Sequence, residues 1–331
     1  MNYLKSHAKL LTLILLQISV LHANVGSGSF LKRGVSARAI SLGGAYVCSA
    51  EGPAATYWNP AGCVNTSGFK LQVSDLVDTQ FFTEITDVNY PQIGITYSPS
   101  QPIWTFLSYG VGLGYYGFYV EDIEQYSSDA NYLGKINYNE SITILSFAIG
   151  VDNLQIGVSY KYHYQNFGIA NQSSNLLQNL KGMDFGVRFR PLDMVLFAIT
   201  VQDQYETGEE DLSMPVITAG VCLEFDQFLL EFDYQTVELS FNRYSIGSEY
   251  KFGELYEWSF RAGIKDIPVT NSYIDRQIIS LNTKLGVGVG YSILFNERNH
   301  GLIFDLGMQQ EVTPSILKPF SRIVATSITL F

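Results

Sequence analysis

Twelve consecutive residues, Leu154–Gln165, constrain this chain more than any other feature. Leu154, Ile156, Val158, Tyr160, Tyr162 and Tyr164 share one parity, and Gln155, Gly157, Ser159, Lys161, His163 and Gln165 share the other. Successive side chains of a strand point to opposite faces, so the segment is a ribbon with one apolar and one polar side. The pattern returns in Met183–Arg190, Phe228–Gln235, Trp258–Lys265 and Leu302–Gln309. In strand after strand the polar parity carries formal charges: Lys161, Asp184, Arg188, Arg190, Glu231, Asp233, Glu249, Lys251, Arg261, Lys265 and Asp305.

Strand-like runs lie near 67–77, 88–98, 102–120, 136–150, 153–168, 181–190, 194–203, 214–225, 227–238, 242–252, 256–266, 281–294, 300–311 and 322–331. Their number is even, as closed single-chain bacterial barrels require, and their length suits a tilted crossing of a bilayer. Tight links such as Asp152-Asn153, Pro191–Asp193 and Asp226 alternate with long polar ones such as 121–134, 168–180, 204–213 and 268–279. Short turns on one side and long loops on the other are the outer-membrane layout. The expected fold is all-β: a transmembrane antiparallel β-barrel of about fourteen strands, residues 67–331.

A soluble sandwich also alternates. Composition argues against it. Only 15% of residues are charged, against about 25% in ordinary soluble chains, while 14% are aromatic and crowd the strand ends. The terminal Phe331 is an aromatic of the kind such barrels carry for assembly, although Thr329, Ser327 and Ala325 share its parity while Leu330, Ile328 and Val324 take the other. A net charge of −11 excludes general attraction to nucleic acid. Met1–Ala23 reads as a signal peptide: Lys5 and Lys9 precede an apolar stretch, Leu10–Leu21, too short to span as a helix. Export to the bacterial outer membrane follows, with membrane lipids and the outer-membrane assembly machinery as expected partners.

Asn24–Thr66 lacks alternation, is rich in Ala, Gly and Ser, and is too short to fold alone. The lumen of its own barrel is the expected place for it, as a plug over residues 24–66. Asn59 before Pro60 favours a turn, Pro60 fixes φ, and Ala61 with Gly62 permits close approach to the wall. Cys48 and Cys63 lie 15 positions apart in this segment and Cys222 lies far downstream. A Cys48–Cys63 disulfide and three unpaired small apolar side chains fit that spacing equally well.

Catalysis finds little footing. There is no G-x-S-x-G, no metal-spaced Cys/His cluster, and only His163 and His300 beyond the signal peptide. No catalytic residue, metal or cofactor is expected. Gly112–Gly117 matches G-x-G-x-x-G, but it lies within a strand-like, Tyr-rich run rather than between strand and helix. Gly110, Gly112 and Gly114 instead form an inward stripe, and Gly286, Gly288 and Gly290 form another.

Ala37–Gly62 reads ARAISLGGAYVCSAEGPAATYWNPAG. The Ala-Arg-Ala opening, Leu42-Gly43-Gly44-Ala45 and Tyr57-Trp58-Asn59-Pro60-Ala61-Gly62 resemble the N-terminal signature of the FadL-like outer-membrane proteins, including their PorV-type branch. The resemblance implies a fourteen-stranded barrel with a lumenal hatch. It implies a gating role for Asn59, Pro60 and Ala61, and a kink in the third strand near Gly110, Gly112, Gly114 and Gly117. It further implies passive uptake of long-chain fatty acids or similar hydrophobic molecules. A basic side chain would then receive the ligand carboxylate, with Arg188, Arg261 and Lys161 as candidates against the plainer reading of a lumenal ion-pair network. The PorV branch implies the alternative, a non-transporting barrel serving as a binding component of a secretion or surface-attachment system.

Overall fold

Residues that alternate at period two cannot satisfy their backbone groups within one strand, so in a membrane they must close into a barrel. This is what the computed structural model contains. It describes Leu31 and residues 34–78, 88–101, 107–126, 128–129, 131–168, 176–205, 215–237, 241–253, 256–268, 283–295, 300–311 and 322–331. The signal-peptide segment Met1–Ala23 and the first residues of the plug lie outside the described residues.

The strands in chain order are β1 (Gly68–Asp78), β2 (Val88–Asn89), β3 (Gln92–Ser98), β4 (Leu107–Tyr126), β5 (Tyr132–Val151), β6 (Leu154–Phe167), β7 (Leu176–Leu192) and β8 (Val195–Tyr205). They continue as β9 (Val216–Phe225), β10 (Phe228–Val237), β11 (Phe241–Phe252), β12 (Tyr256–Pro268), β13 (Lys284–Leu294), β14 (Gly301–Glu311) and β15 (Arg322–Leu330). From β3 onward each pairs antiparallel with the next, and β15 returns to β1 from Leu71↔Leu330 to Asp78↔Ile323, closing the cylinder. The two pieces β2 and β3 both pair with β4 and lie end to end, so the wall has fourteen positions.

The parity read from the sequence holds. Phe147, Ile156, Phe185, Phe197, Phe232 and Phe260 are each at least 40% exposed on the outer face. Lys161, Asp184, Arg188, Glu231, Glu249 and Arg261 are buried inside. On β15 Ile328 and Leu330 face outward while Ala325, Ser327 and Thr329 face in. The tight turns lie at one rim. Asp152 and Asp226 adopt positive φ there (49° and 45°), a conformation that Asp tolerates. The same rim carries exposed Phe225, Phe228, Phe252, Tyr256 and Trp258, an aromatic girdle of the interfacial kind.

The described part of the N-terminal segment fills the lumen. It makes short helices at Ala37–Ser41 and Ala55–Trp58 and 3-10 turns at Gly52–Ala54 and Pro60–Thr66. Ala37, Ala39, Leu42, Ala55, Asn59 and Cys63 are fully buried. The first helix packs on β13 and β14, and Pro60–Thr66 packs on β4, β5 and β6.

Candidate functional site

What seats the hatch is a ring of inward glycines. A Cβ on Gly110 would meet the Cys63 carbonyl, one on Gly157 the backbone of Pro60 and Ala61, and one on Gly186 the Asn59 side chain. Across the barrel, Gly263 faces Leu42 and Gly43, and Gly286 faces Ile40 and Ser41. At all of these points but Gly186, backbone meets backbone because no side chain intervenes. Apart from Gly290, which faces Asp305 and Arg261, the two glycine stripes of the sequence are therefore seats for the hatch.

Asn59 holds the end of the 3-10 turn. Its Oδ1 accepts from the Ala61 amide at 3.1 Å, and its Nδ2 donates to the Val47 carbonyl at 2.9 Å. Pro60 starts that turn, where a missing N–H costs nothing. The expected hatch residues thus sit in the lumen against β6 and β7.

The four amides of residues 46–49 dock on two carboxylates of β10. Asp233 Oδ2 accepts from Tyr46 N (2.8 Å) and Val47 N (3.1 Å). Glu231 accepts from Cys48 N at 2.6 Å and from Ser49 N at 3.2 and 3.3 Å. Cys48, Glu231 and Asp233 are close enough in space to suggest metal ligands. Asp233 Oδ2 and both Glu231 oxygens accept from these amides, and Asp233 Oδ1 is buried without a hydrogen-bond partner. Both carboxylates were legible as inward charges, but pairing with backbone N–H rather than with cations has no sequence signal.

The three expected carboxylate receivers part company. Lys161 lies 2.8 Å from Asp184 and 2.7 Å from Asp203, with Tyr57 beneath it at 5.7 Å. Arg261 is clamped by Glu249 (2.5 Å) and Asp305 (2.7 Å). Arg38 of the hatch reaches the same Glu249 at 2.6 Å and Glu51 at 2.5 Å. Burial acts to raise the Glu51 carboxyl, but Arg38, Lys70 and Lys251 outweigh it and hold it at about 2. Lys161 and Arg261 are thus members of ion-pair networks. Arg188 is 3% exposed, and its Nε and Nη1 have no hydrogen-bond partner.

Two expectations are corrected. Cys48 and Cys63 are free thiols. Cys48 packs with Leu196, Ala198 and Cys222, whereas Cys63 packs with Ala55 and Ala148, so the two are drawn to separate apolar clusters. Burial pushes the Cys63 thiol up to about 12. Nor does the third barrel position bend at Gly110, Gly112, Gly114 and Gly117. The β4–β5 ladder is unbroken from Leu107↔Val151 to Val120↔Tyr138, and the register shift comes beyond it, between Val120 and Ile123. Glycine here gives the hatch room and leaves the backbone bonds intact.

The break lies one position earlier. Among the described residues, pairing of β1 with β3 ends at Ser74↔Gln92, β2 pairs only with β4, and Tyr90-Pro91 separates β2 from β3. Pro91 has no N–H to give, and its carbonyl accepts from the Gly117 amide at 2.9 Å. Inside this stretch of wall the lumen is apolar: Leu76, Tyr90, Tyr116, Ile142, Ile144 and Ile323 are buried together, with Tyr57, Trp58 and Phe118 packed against them. The buried charges Lys161, Asp184, Arg188, Glu231, Glu249, Arg261 and Asp305 lie on other strands. His163, the histidine within the barrel wall, is buried beside Glu140 at 2.8 Å, which in turn accepts from Tyr138.

These features define a transmembrane barrel of the outer-membrane type, stoppered by its own N-terminal segment and locally unzipped beside an apolar lumenal sector. Among solved structures, the chain is similar to the CymD monoaromatic hydrocarbon channel, with a TM-score of 0.61 and 14% identity over 90% of this chain and 97% of that one. A Pseudomonas aeruginosa FadL homologue aligns with a TM-score of 0.57 and 9% identity, over 89% of this chain and 98% of that one. A mutant of the TodX monoaromatic hydrocarbon channel aligns with a TM-score of 0.57 and 10% identity, over 90% and 98%. At these identities the likeness is one of fold. No protein-family model matches the chain, and no curated protein matches it.

Proposed function

We propose that the protein is a passive outer-membrane channel for hydrophobic molecules, with long-chain fatty acids among its ligands. The observation that carries this is the coincidence of the apolar lumenal sector with the gap between β1 and β2. An apolar solute gains about 0.8 kcal/mol per CH₂ on leaving water, and that sector rewards it. The hatch at Asn59–Ala61 keeps the lumen closed to small polar solutes. The gate is the Tyr90-Pro91 interruption, in the second wall position, and exit is sideways into the bilayer. Folds of this kind serve monoaromatic hydrocarbon channels, which supports the reading.

The experiment is uptake and binding of labelled oleate and toluene by the barrel in lipid vesicles. Wild type is expected to take up both without an energy source, and Tyr116→Glu, which places a charge in the apolar sector, to abolish uptake. Absence of saturable binding for either ligand refutes the proposal. One observation favours the second reading, a binding component of a secretion or surface-attachment system. The described lumen is filled by the hatch, as suits a barrel that works through its loops. That reading leaves the apolar sector and the open ladder without a purpose.

A further inference from the structure

Among the described residues, one group of metal-ligating side chains gathers in space. Cys48, Glu231 and Asp233 each offer a ligand atom within 4.8 Å of the others, and all three are buried. Cys48 belongs to the hatch and the carboxylates to the inner face of β10, so the group straddles the joint between stopper and wall.

Hydrogen bonding leaves the group incomplete. Asp233 Oδ2 and both Glu231 oxygens accept from hatch amides. Asp233 Oδ1 has no such partner, in a side chain only 4% exposed. That oxygen is aimed at the thiol. Gly220 lies opposite Asp233 in the β9–β10 ladder, and a Cβ there would lie 2.4 Å from Asp233 Oδ1 and 2.9 Å from Cys48 Sγ. Oxygen and sulfur therefore converge over bare main chain. A carboxylate has about four lone-pair sites, so Glu231 can keep its amides and still turn a lone pair toward the same place. Ligand atoms held about 2.0–2.3 Å from a zinc ion stand about 3.3–3.5 Å from one another, which these three approach by side-chain rotation.

Charge points the same way. Arg188 acts electrostatically on both Cys48 and Glu231. Against its single positive charge stand two carboxylates and, once ligated, a thiolate. A divalent cation cancels the remainder. Sulfur among the ligands favours zinc-like ions over magnesium and calcium, which take oxygen.

We propose that Cys48, Glu231 and Asp233 form a binding site for a divalent transition metal of the zinc type, which clips the hatch to the wall. Cys48 binds as the thiolate and releases its proton to water, and a water molecule takes the fourth position. The site stands independently of the channel reading. A proton shared by the two carboxyls is the competing occupant, and it leaves the thiol out of the arrangement.

The test is titration of the purified, reduced barrel in lipid nanodiscs with Co²⁺ and then Zn²⁺, for wild type, Cys48→Ala and Asp233→Asn. Wild type is expected to bind cobalt stoichiometrically with a thiolate-to-cobalt charge-transfer absorption, which zinc abolishes. Losing even an outer partner of a metal ligand costs about 10–100-fold in affinity, so each variant should lose more than about a hundredfold. Cys48→Ala should lose the absorption as well. Cys48→Ala leaves the amide contacts of residues 46–49 in place, and Asp233→Asn keeps an acceptor for Tyr46 and Val47. Retention of the heat-induced gel shift shows that each variant barrel is folded. Absence of cobalt binding by folded wild type overturns the proposal, as does equal affinity in wild type and either variant. So does a Cys48–Cys222 disulfide in protein alkylated at lysis, since these two side chains pack together and the bond would consume the ligand.

Discussion

Replacing Glu231 by alanine isolates the latch that holds the hatch. The carboxylate accepts from two backbone amides, Cys48 N and Ser49 N. Hydrogen bonds to a charged group contribute about 1.5–3 kcal/mol each, so the pair contributes roughly 3–6 kcal/mol. Removing a buried charge also relieves its desolvation, which places the net effect near the low end, about 3 kcal/mol. Each 1.4 kcal/mol is about a factor of ten, so the open fraction of residues 46–49 rises by roughly two orders of magnitude. The barrel ladder does not pass through these bonds and is expected to keep its gel shift. Cys63 offers the readout, since it is fully buried between the hatch, to which it belongs, and the wall, with its thiol held protonated. Its maleimide labelling should accelerate by the same factor in Glu231→Ala, with Cys48 and Cys222 replaced by alanine in both proteins to leave one thiol. Single-channel conductance should rise in parallel. Unchanged labelling together with unchanged conductance would show that the carboxylate–amide contacts do not hold the hatch.

Gly157→Ala puts a methyl group into the backbone of Pro60 and Ala61. It should loosen the hatch at a cost of about 1–3 kcal/mol, seen as faster amide exchange in Asn59–Thr66. Arg261→Ala strips Asp305 of its partner and leaves Glu249 with Arg38 alone. Breaking such a buried network costs about 3–5 kcal/mol, measurable as a lower urea midpoint in lipid. The Arg38–Glu51 pair has a definite pH window. The carboxyl sits at about 2 in the folded chain against an ordinary value of 4.5. Its contribution is complete above about pH 4.5 and fades as pH falls toward 2. A carboxyl titration followed by NMR should place the Glu51 midpoint near 2, and a midpoint near 4.5 would show that the cations do not act on it.

All fourteen wall positions were legible because parity is a one-dimensional signal: Lys161 and Tyr160 differ in face simply because they are neighbours. The presence of a lumenal plug was equally legible, since Asn24–Thr66 has too little substance to fold without walls around it. Partner choice within the lumen was not. Nothing in the sequence separates Arg188 from Arg261, whose surroundings come from strands 44 residues distant in the case of Asp305. The stripe at Gly110–Gly114 was visible, yet its use depends on which backbone lies opposite. Glycine beside a hatch and glycine at a bend look alike in one dimension. The interruption at Tyr90-Pro91 could have been suspected from Pro91, which sits in the middle of an otherwise strand-like run.

Where Gly110, Gly157, Gly263 and Gly286 meet the stopper, the cylinder is thinned to bare main chain. Stopper and cylinder thus share a single packing layer at that height, with no cushion of rotatable groups between them. Sliding one past the other would drag main-chain atoms across main-chain atoms, so clearing the bore requires the stopper to change shape in place. A passage at the side, where the ladder is already open, demands no such rearrangement.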